Sequence, residues 1–160
     1  MPAIDPGKNT YENIEILVIE NNSQKKKTFK DYRRTCMSIQ KLRFCTGKEK
    51  DSIIRRSISM ELIMRPGEYL LFLNNDTEMI GNDCIKEMLS YCMREDVGAV
   101  GARMYYEDGT LQHGGVIIGL GGVAGHAFLG IDGDSPGYFA RAQVIHDLSA
   151  VTAACMMMKK

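Results

Sequence analysis

The sequence predicts an α/β protein with a mostly parallel sheet flanked by helices, and three observations support this fold class. Residues 69–73, YLLFL, form an uncharged apolar run of the kind found in strands buried on both faces. Residues 14–19, IEILVI, are apolar at almost every position and predict another strand. Between these runs, apolar residues recur at near-helical spacing over residues 28–41. Because helical crossovers join parallel strands, we expect the two strands to be parallel neighbours with adjacent carboxyl ends.

Other segments extend the same pattern toward the middle of the chain. We expect a short strand at residues 41–45 and a helix over residues 52–64. A further amphipathic helix, capped by Asn82 or Asp83, is predicted by apolar residues at i, i+3, i+4 and i+7. These residues are Ile85, Met88, Leu89 and Cys92.

The second half of the chain predicts a β-hairpin region. Strands are expected over residues 97–106 and 110–118, on either side of a turn at residues 107–109, EDG. The apolar run at residues 150–158 contains three consecutive methionines and is predicted to lie in the core.

Polar turns follow both of the first apolar strands. Residues 74–78, NNDTE, come directly after one strand, and residues 20–23, ENNS, come after the other. In open α/β sheets, ligands bind outside the carboxyl ends of the strands. Carboxylate and amide oxygens there suit a hard divalent cation, which in turn suits a phosphate. The alternative is a plain polar turn that caps the next helix.

Composition places the chain among ordinary soluble globular proteins. One domain is expected from 160 residues, of which 44% are hydrophobic and 25% charged. No apolar run approaches the roughly 18 residues of a membrane helix. The five cysteines are odd in number and form no Cys-x-x-Cys pair. This favours reduced thiols in a cytoplasmic compartment and argues against a zinc site.

Although the net charge is zero, residues 25–56 form a basic block that contains twelve Lys or Arg residues and three acidic residues. Such a block attracts nucleic acid or anionic lipid. Only three aromatic residues are interleaved with it, too few for a binder of single-stranded nucleic acid. The block therefore favours a solvated surface with some attraction to anionic membranes, and no nucleic-acid partner is expected.

Two other patterns carry little weight. Residues 119–124, GLGGVA, formally fit the dinucleotide-binding fingerprint, but the residues that follow predict a loop where that motif needs a helix. A hairpin connection or a flexible loop over the site fits better. His113, His126 and His146 have no metal-ligand spacing and are interpreted as hydrogen-bonded structural histidines.

Four blocks in order resemble family-2 glycosyltransferases of the GT-A fold, and most closely their rhamnosyltransferase-like members. The blocks are IEILVIENNS, GEYLLFLNNDTEMI, VGAVGARMYYEDGTLQHGGVIIGLGGVAGHAF and DLSAVTAAC, within residues 11–24 and 67–160. The resemblance implies an enzyme that moves a sugar, with inversion, from a nucleotide-sugar donor to a glycan or lipid-linked acceptor in cell-surface polysaccharide synthesis. It also implies a cytoplasmic location with peripheral contact at the inner face of the membrane.

The resemblance assigns roles to individual residues. Donor binding falls to Glu20, Asn22, Asn74, Asn75 and Asp76, the last three standing where the family has Asp-x-Asp. Asp76 would bind Mg²⁺ or Mn²⁺, which would stabilise the departing nucleotide. The sugar and acceptor pocket would include His113, Thr152, Ala154 and Cys155.

The chain also departs from the family pattern. The family's first strand has no counterpart before Tyr11, and its catalytic base is expected beyond Lys160. We therefore expect residues 1–160 to form one partial domain: an irregular lead at 1–13, a nucleotide-binding half at 14–80 and an acceptor-side half at 81–160. On this interpretation the chain alone transfers no sugar at a useful rate. A non-catalytic nucleotide- or metal-binding remnant and, less well supported, a basic-patch binder of anionic lipid or nucleic acid are the alternatives.

Overall fold

The structure, a computed structural model, describes residues 11–20, 42–46 and 66–160. The chain divides into two compact units, one of Glu12–Gly67 and one of Met1–Tyr11 with Glu68–Lys160. The helices predicted over residues 28–41 and 52–64 lie outside the described residues. No helix in the described part of the chain has the length and apolar character needed to cross a bilayer.

In the unit of Glu12–Gly67, strands β1 (Ile16–Glu20) and β2 (Leu42–Thr46) pair in parallel, with Ile16 opposite Leu42. Both strands were predicted. Their pairing with each other was not predicted. We expected residues 14–19 to lie beside residues 69–73, which belong to a different sheet. That expectation is wrong. The chain between β1 and β2 already exceeds the dozen residues that a parallel crossover needs, so the nearer strand takes the position beside β1.

The other unit contains a three-stranded sheet of order β3 (Tyr69–Leu73), β9 (Cys155–Lys159), β4 (Ala99–Gly101). β9 runs antiparallel to both neighbours, so β3 and β4 are parallel to each other. Leu73, the last residue of β3, pairs with Cys155, the first residue of β9. This register brings the carboxyl end of β3 to the residues that lead into β9.

One helix, α1 (Cys84–Cys92), covers this sheet and confirms the predicted amphipathic pattern. Ile85, Met88 and Cys92 are buried on the face that packs against β4 and β9. Full burial of an apolar side chain of this size contributes about 1.5–3 kcal/mol. The helix begins after Asp83, one of the two predicted N-cap residues, although its side chain makes no capping hydrogen bond.

The strand predicted at residues 97–106 is divided between two sheets. β4 pairs with β9, whereas β5 (Met104–Tyr105) pairs with β6 (Leu111–His113). The chain leaves the first sheet after Ala102, whose amide donates to the carbonyl of Cys155. The predicted hairpin turn is present, and the Asp108 carboxylate accepts hydrogen bonds from the amide and hydroxyl of Thr110.

A second hairpin, of β7 (Val116–Ile118) and β8 (Ala124–His126), follows directly. The strand predicted at residues 110–118 is therefore broken between β6 and β7. Gly115 lies at the break and has a φ of 106°, a backbone conformation that L-residues rarely adopt. The amide of Gly119 donates to the carbonyl of Val123 and closes the turn. The glycine-rich segment is thus a hairpin connection, and the rejection of the dinucleotide fingerprint is confirmed.

Candidate functional site

The turn after β3 presents three polar side chains from consecutive residues, Asn74, Asn75 and Asp76, and all three are exposed. The Asn74 amide donates to the Ala154 carbonyl across 2.8 Å. The Asn74 carbonyl accepts from the Thr77 amide at 3.4 Å. The start of the turn is therefore fixed to the core of the sheet while its side chains face solvent.

The partner of Asn74 in this contact is Ala154, which lies in the segment that precedes β9. The amide of Ala154 donates to Oγ1 of Thr152 at 3.3 Å, a local turn that threonine forms with its own backbone. The side chain of Cys155 is only 3% exposed. Burial, reinforced by the neighbouring Cys84, raises the pKa of the Cys155 thiol to about 11. Cys155 therefore contributes its backbone and a neutral, buried thiol to this region.

His113 lies at the end of β6 and is 2% exposed. Its Nε2 accepts a long hydrogen bond of 3.4 Å from the amide of Thr152. Its Nδ1 lies 2.8 Å from Nδ1 of His126, and the two rings meet edge to face at 82°. Burial, and to a lesser degree the neighbouring His126, lowers the pKa of His113 to about 4. His113 is consequently neutral in the physiological pH range.

Four of the predicted site residues thus form one continuous set of contacts. From His113 the contacts run to Thr152, then through its hydroxyl to Ala154, and through the Ala154 carbonyl to Asn74. The predicted acceptor-side residues and the predicted donor turn meet at the start of β9. Their individual roles stay predictions, and so do those of Glu20 and Asn22, since the Glu20 side chain and Asn22 lie outside the described residues.

Sequence reasoning missed His126 as a member of this site. Its partner in the β7–β8 ladder is Val116, three positions after His113. A hairpin centred on Gly121 would have placed residue 126 opposite residue 116, and so near His113. The glycine-rich turn was therefore the available indication, once it was interpreted as a hairpin.

The donor set at the end of β3 fits a magnesium-like ion that a phosphate helps to bind. Across residues 11–20, 42–46 and 66–160, no group of three or more His, Cys, Asp or Glu side chains could hold a metal. Asp76 with two asparagine amides supplies hard oxygen atoms only. Mg²⁺ is commonly bound by one or two carboxylates together with substrate phosphates and waters, and one carboxylate with two amides is compatible with that pattern.

An open groove of about 490 Å³ lies along β7, where Val116 is the ladder partner of His126. Its walls are β7, Arg141 and residues 147–149. The amide of Val116 donates to the carbonyl of Ala150, so this wall continues directly into the residues that precede β9. The groove is lined by Val116, Ile117, Ile118, Arg141, Asp147, Leu148 and Ser149.

Comparison with known families decides what kind of protein carries this arrangement. The model of the family described as "Glycosyl transferase family 2" matches residues 7–158. The chain belongs to glycosyl transferase family 2. The resemblance stated from the sequence blocks is confirmed, and the mixed α/β structure agrees with a partial GT-A fold.

Two curated relatives of this family-2 domain are similar over nearly its whole length. It is 36% identical to "Uncharacterized protein y4gI" of Sinorhizobium fredii (strain NBRC 101917 / NGR234), over 96% of this chain and 17% of that protein. It is 31% identical to "O-antigen biosynthesis protein RfbC" of Myxococcus xanthus, over 94% of this chain and 12% of that protein. The chain therefore spans less than a fifth of the length of either relative. No solved structure gives a significant match.

Proposed function

We propose that this family-2 domain transfers a sugar from a nucleotide-sugar donor to a glycan or lipid-linked acceptor, with inversion at the anomeric carbon. The single observation that supports this best is the hydrogen bond between Asn74 and Ala154. It joins the turn that carries the Asp-x-Asp-like residues to the segment that contacts His113. A donor site and an acceptor site must adjoin in this way if a sugar is to pass between them.

On the donor side, Asp76 is the proposed ligand of Mg²⁺ or Mn²⁺. When bound, the ion would neutralise the charge that develops on the departing nucleoside diphosphate. The exposed amides of Asn74 and Asn75 can donate hydrogen bonds to phosphate or sugar oxygens, while their carbonyl oxygens can face the ion. The backbone contacts of Asn74 hold these groups in place before the donor arrives, which reduces the ordering cost of binding.

On the acceptor side, the groove along β7 is the proposed entry for the sugar or lipid-linked chain. Its apolar wall suits a sugar face or a lipid, and its polar residues can bind hydroxyl groups. Deprotonation of the acceptor hydroxyl requires a general base.

The biological setting is proposed from the relative in Myxococcus xanthus, whose name states O-antigen biosynthesis. By analogy, we assign this domain to the synthesis of a cell-surface polysaccharide. An acceptor linked to a membrane lipid would bring the domain to the inner face of the membrane as a peripheral protein.

The test is to incubate the 160-residue protein, and a longer chain with the flanking residues of its reading frame, with UDP-, GDP- and dTDP-sugars and Mn²⁺. A bacterial polysaccharide or lipid-linked oligosaccharide serves as acceptor, and released nucleoside diphosphate is measured. We expect acceptor-dependent release from the longer chain with at least one donor. Binding of a nucleotide by both proteins with no release from either would instead support a non-catalytic nucleotide-binding role.

A further inference from the structure

The two imidazoles beside the donor turn constrain each other's protonation. Nδ1 of His113 and Nδ1 of His126 are 2.8 Å apart, a hydrogen-bonding distance between two atoms of the same kind. Two such nitrogens can form a hydrogen bond only when one carries a proton and the other presents its lone pair. A single proton therefore lies between the rings.

The second nitrogen of His113 decides which ring carries that proton. The backbone amide of Thr152 can only donate, so Nε2 of His113 must be the unprotonated acceptor. A neutral His113 then carries its proton on Nδ1 and donates to His126. His126 accepts at Nδ1, so its own ring proton lies on Nε2.

We infer that His126 is a positioning residue, which selects the Nδ1–H tautomer of His113 and thereby keeps the residues before β9 in register with the donor turn. The role in donor binding rests on the proposed function; the tautomer assignment does not. The spacing of the three histidines in the sequence does not indicate this role. It acts only through His113, whose ring separates it from Thr152.

The dependence on His126 follows from the fixed acceptor that it presents to a buried partner. His113 is 2% exposed, whereas His126 is exposed. Without the His126 ring, water would be the group available to Nδ1 of His113, and water can donate as well as accept, so the Nδ1–H tautomer would no longer be selected. If the proton moved to Nε2, two N–H groups would face each other between His113 and Thr152. This would weaken the contact of His113 with Thr152 and, through the Thr152 hydroxyl, the contact with Ala154.

The first experiment measures the tautomers directly. Two-bond ¹H–¹⁵N correlation spectra of the histidine-labelled protein at pH 7.5 distinguish protonated from unprotonated ring nitrogens, and single-histidine substitutions assign the three residues. We expect His113 to carry its proton on Nδ1 and His126 on Nε2. A proton on Nε2 of His113 in the unaltered protein would overturn the inference without any variant being made.

The second experiment compares two substitutions at the same position. His126→Asn places an acceptor oxygen near the position of Nδ1, whereas His126→Ala removes the acceptor. We expect His126→Ala to shift His113 towards the Nε2–H tautomer and to weaken binding of Mn²⁺ with a nucleoside diphosphate by about tenfold, the lower end of the effect of supporting residues on metal sites. His126→Asn should restore both. His146→Ala, which changes a histidine bonded locally to the Val144 carbonyl, is the control and should change neither.

The outcomes separate this inference from the proposed function. If the unaltered protein binds no nucleotide while the tautomers are as assigned and respond to His126→Ala, the donor site fails and the imidazole pairing stands. If the protein binds nucleotide and His126→Ala binds it equally well, the positioning role is overturned. Should His126→Ala fail to fold, a loss of nucleotide binding in folded His126→Asn would overturn the role in the same way.

Discussion

The backbone amide of Asn74 donates a hydrogen bond of 2.8 Å to the carbonyl of Ala154. It extends the β3–β9 ladder by one step beyond the pairing of Leu73 with Cys155. The polar turn after β3 is therefore anchored by the same strand that carries the buried core. A change in the packing of the residues that precede β9 should therefore alter the position of the turn that carries Asp76.

The first prediction concerns acid stability. The folded pKa of His113 is about 4, below its usual value of 6.5, so between these pH values the unfolded chain binds more protons than the folded one. Stability should therefore be fully present above pH 6.5 and be lost as the pH falls towards 4. A depression of this size corresponds to about 3 kcal/mol.

Urea denaturation at pH 7.5, 6, 5 and 4 measures this effect. We expect His113→Gln to flatten the dependence of the unfolding free energy on pH, and His146→Gln, the matched control, to retain it. The same pH dependence in the His113 variant and the unaltered protein would assign the acid sensitivity to other groups.

A second prediction concerns the close approach of β4 to the segment before β9. A Cβ added at Gly101 would lie 2.6 Å from Cβ of Val151, closer than such atoms approach in proteins. We expect Gly101→Ala to lower the unfolding free energy by about 1–3 kcal/mol. Gly98→Ala is the control, since nothing lies within 4 Å of its added Cβ.

The double variant Gly101→Ala/Val151→Gly tests the cause. Replacing Val151 by glycine removes both its Cβ, 2.6 Å from the new Cβ, and its methyl carbons, so the two changes together should cost less than their sum. Strict additivity of the two unfolding free energies would show that the clash is not the reason for the loss.

Thiol reactivity gives the third prediction. With its pKa raised from 9.0 to about 11 by burial, Cys155 should form thiolate roughly hundredfold less readily than an unshifted cysteine at the same pH. Cys84 is only half-buried and should be modified first. Alkylation with iodoacetamide at pH 8, followed by peptide mass spectrometry, measures both rates.

Unfolded protein in urea is the reference for that experiment, and there the two cysteines should react at similar rates. Equal modification of Cys84 and Cys155 in the folded protein would contradict the buried position of β9.

Local chemistry was sufficient to predict the elements around the site. The uncharged apolar run before Asn74 predicted β3 with little error. The helical spacing of apolar residues that begins at Ile85 predicted α1, because a helix that is buried on one face has apolar residues at regular intervals. The hairpin at residues 107–109 was predicted from its turn residues.

Strand order could not be predicted in the same way. Both β2 and β3 are plausible partners for β1, and an apolar run does not encode which neighbour it pairs with. The segment at residues 150–158 was expected in the core, but nothing local indicated that it inserts beside β3. Pairing between residues so far apart depends on the whole sheet.

The contact between His113 and His126 could not be predicted from the sequence for a related reason. It depends on the fold of a glycine-rich turn, where several backbone conformations are accessible to the same residues. The predicted site residues that proved to be connected were those on or next to strands, whose geometry is regular.

The fourth prediction separates the roles of the residues in the donor turn. Asn74 offers a neutral amide, and its backbone contacts survive truncation of the side chain. Asn74→Ala should therefore weaken binding of Mn²⁺ with a nucleoside diphosphate less than loss of the Asp76 carboxylate does. Titration calorimetry of both variants measures the difference, and a greater loss in Asn74→Ala would assign the main ligand role to the amide.

The most direct test of the proposed donor site is titration calorimetry of UDP, GDP and dTDP with and without Mn²⁺. It compares the unaltered protein, Asp76→Asn and the control Asp96→Asn, which changes another exposed aspartate, paired with Arg94. We predict metal-dependent binding of at least one nucleotide to the unaltered protein and to Asp96→Asn. Asp76→Asn should bind it at least about tenfold more weakly, because the ion loses the one carboxylate among Asn74, Asn75 and Asp76. Equal, metal-dependent binding by Asp76→Asn and the unaltered protein would contradict the assignment of this turn as the donor site.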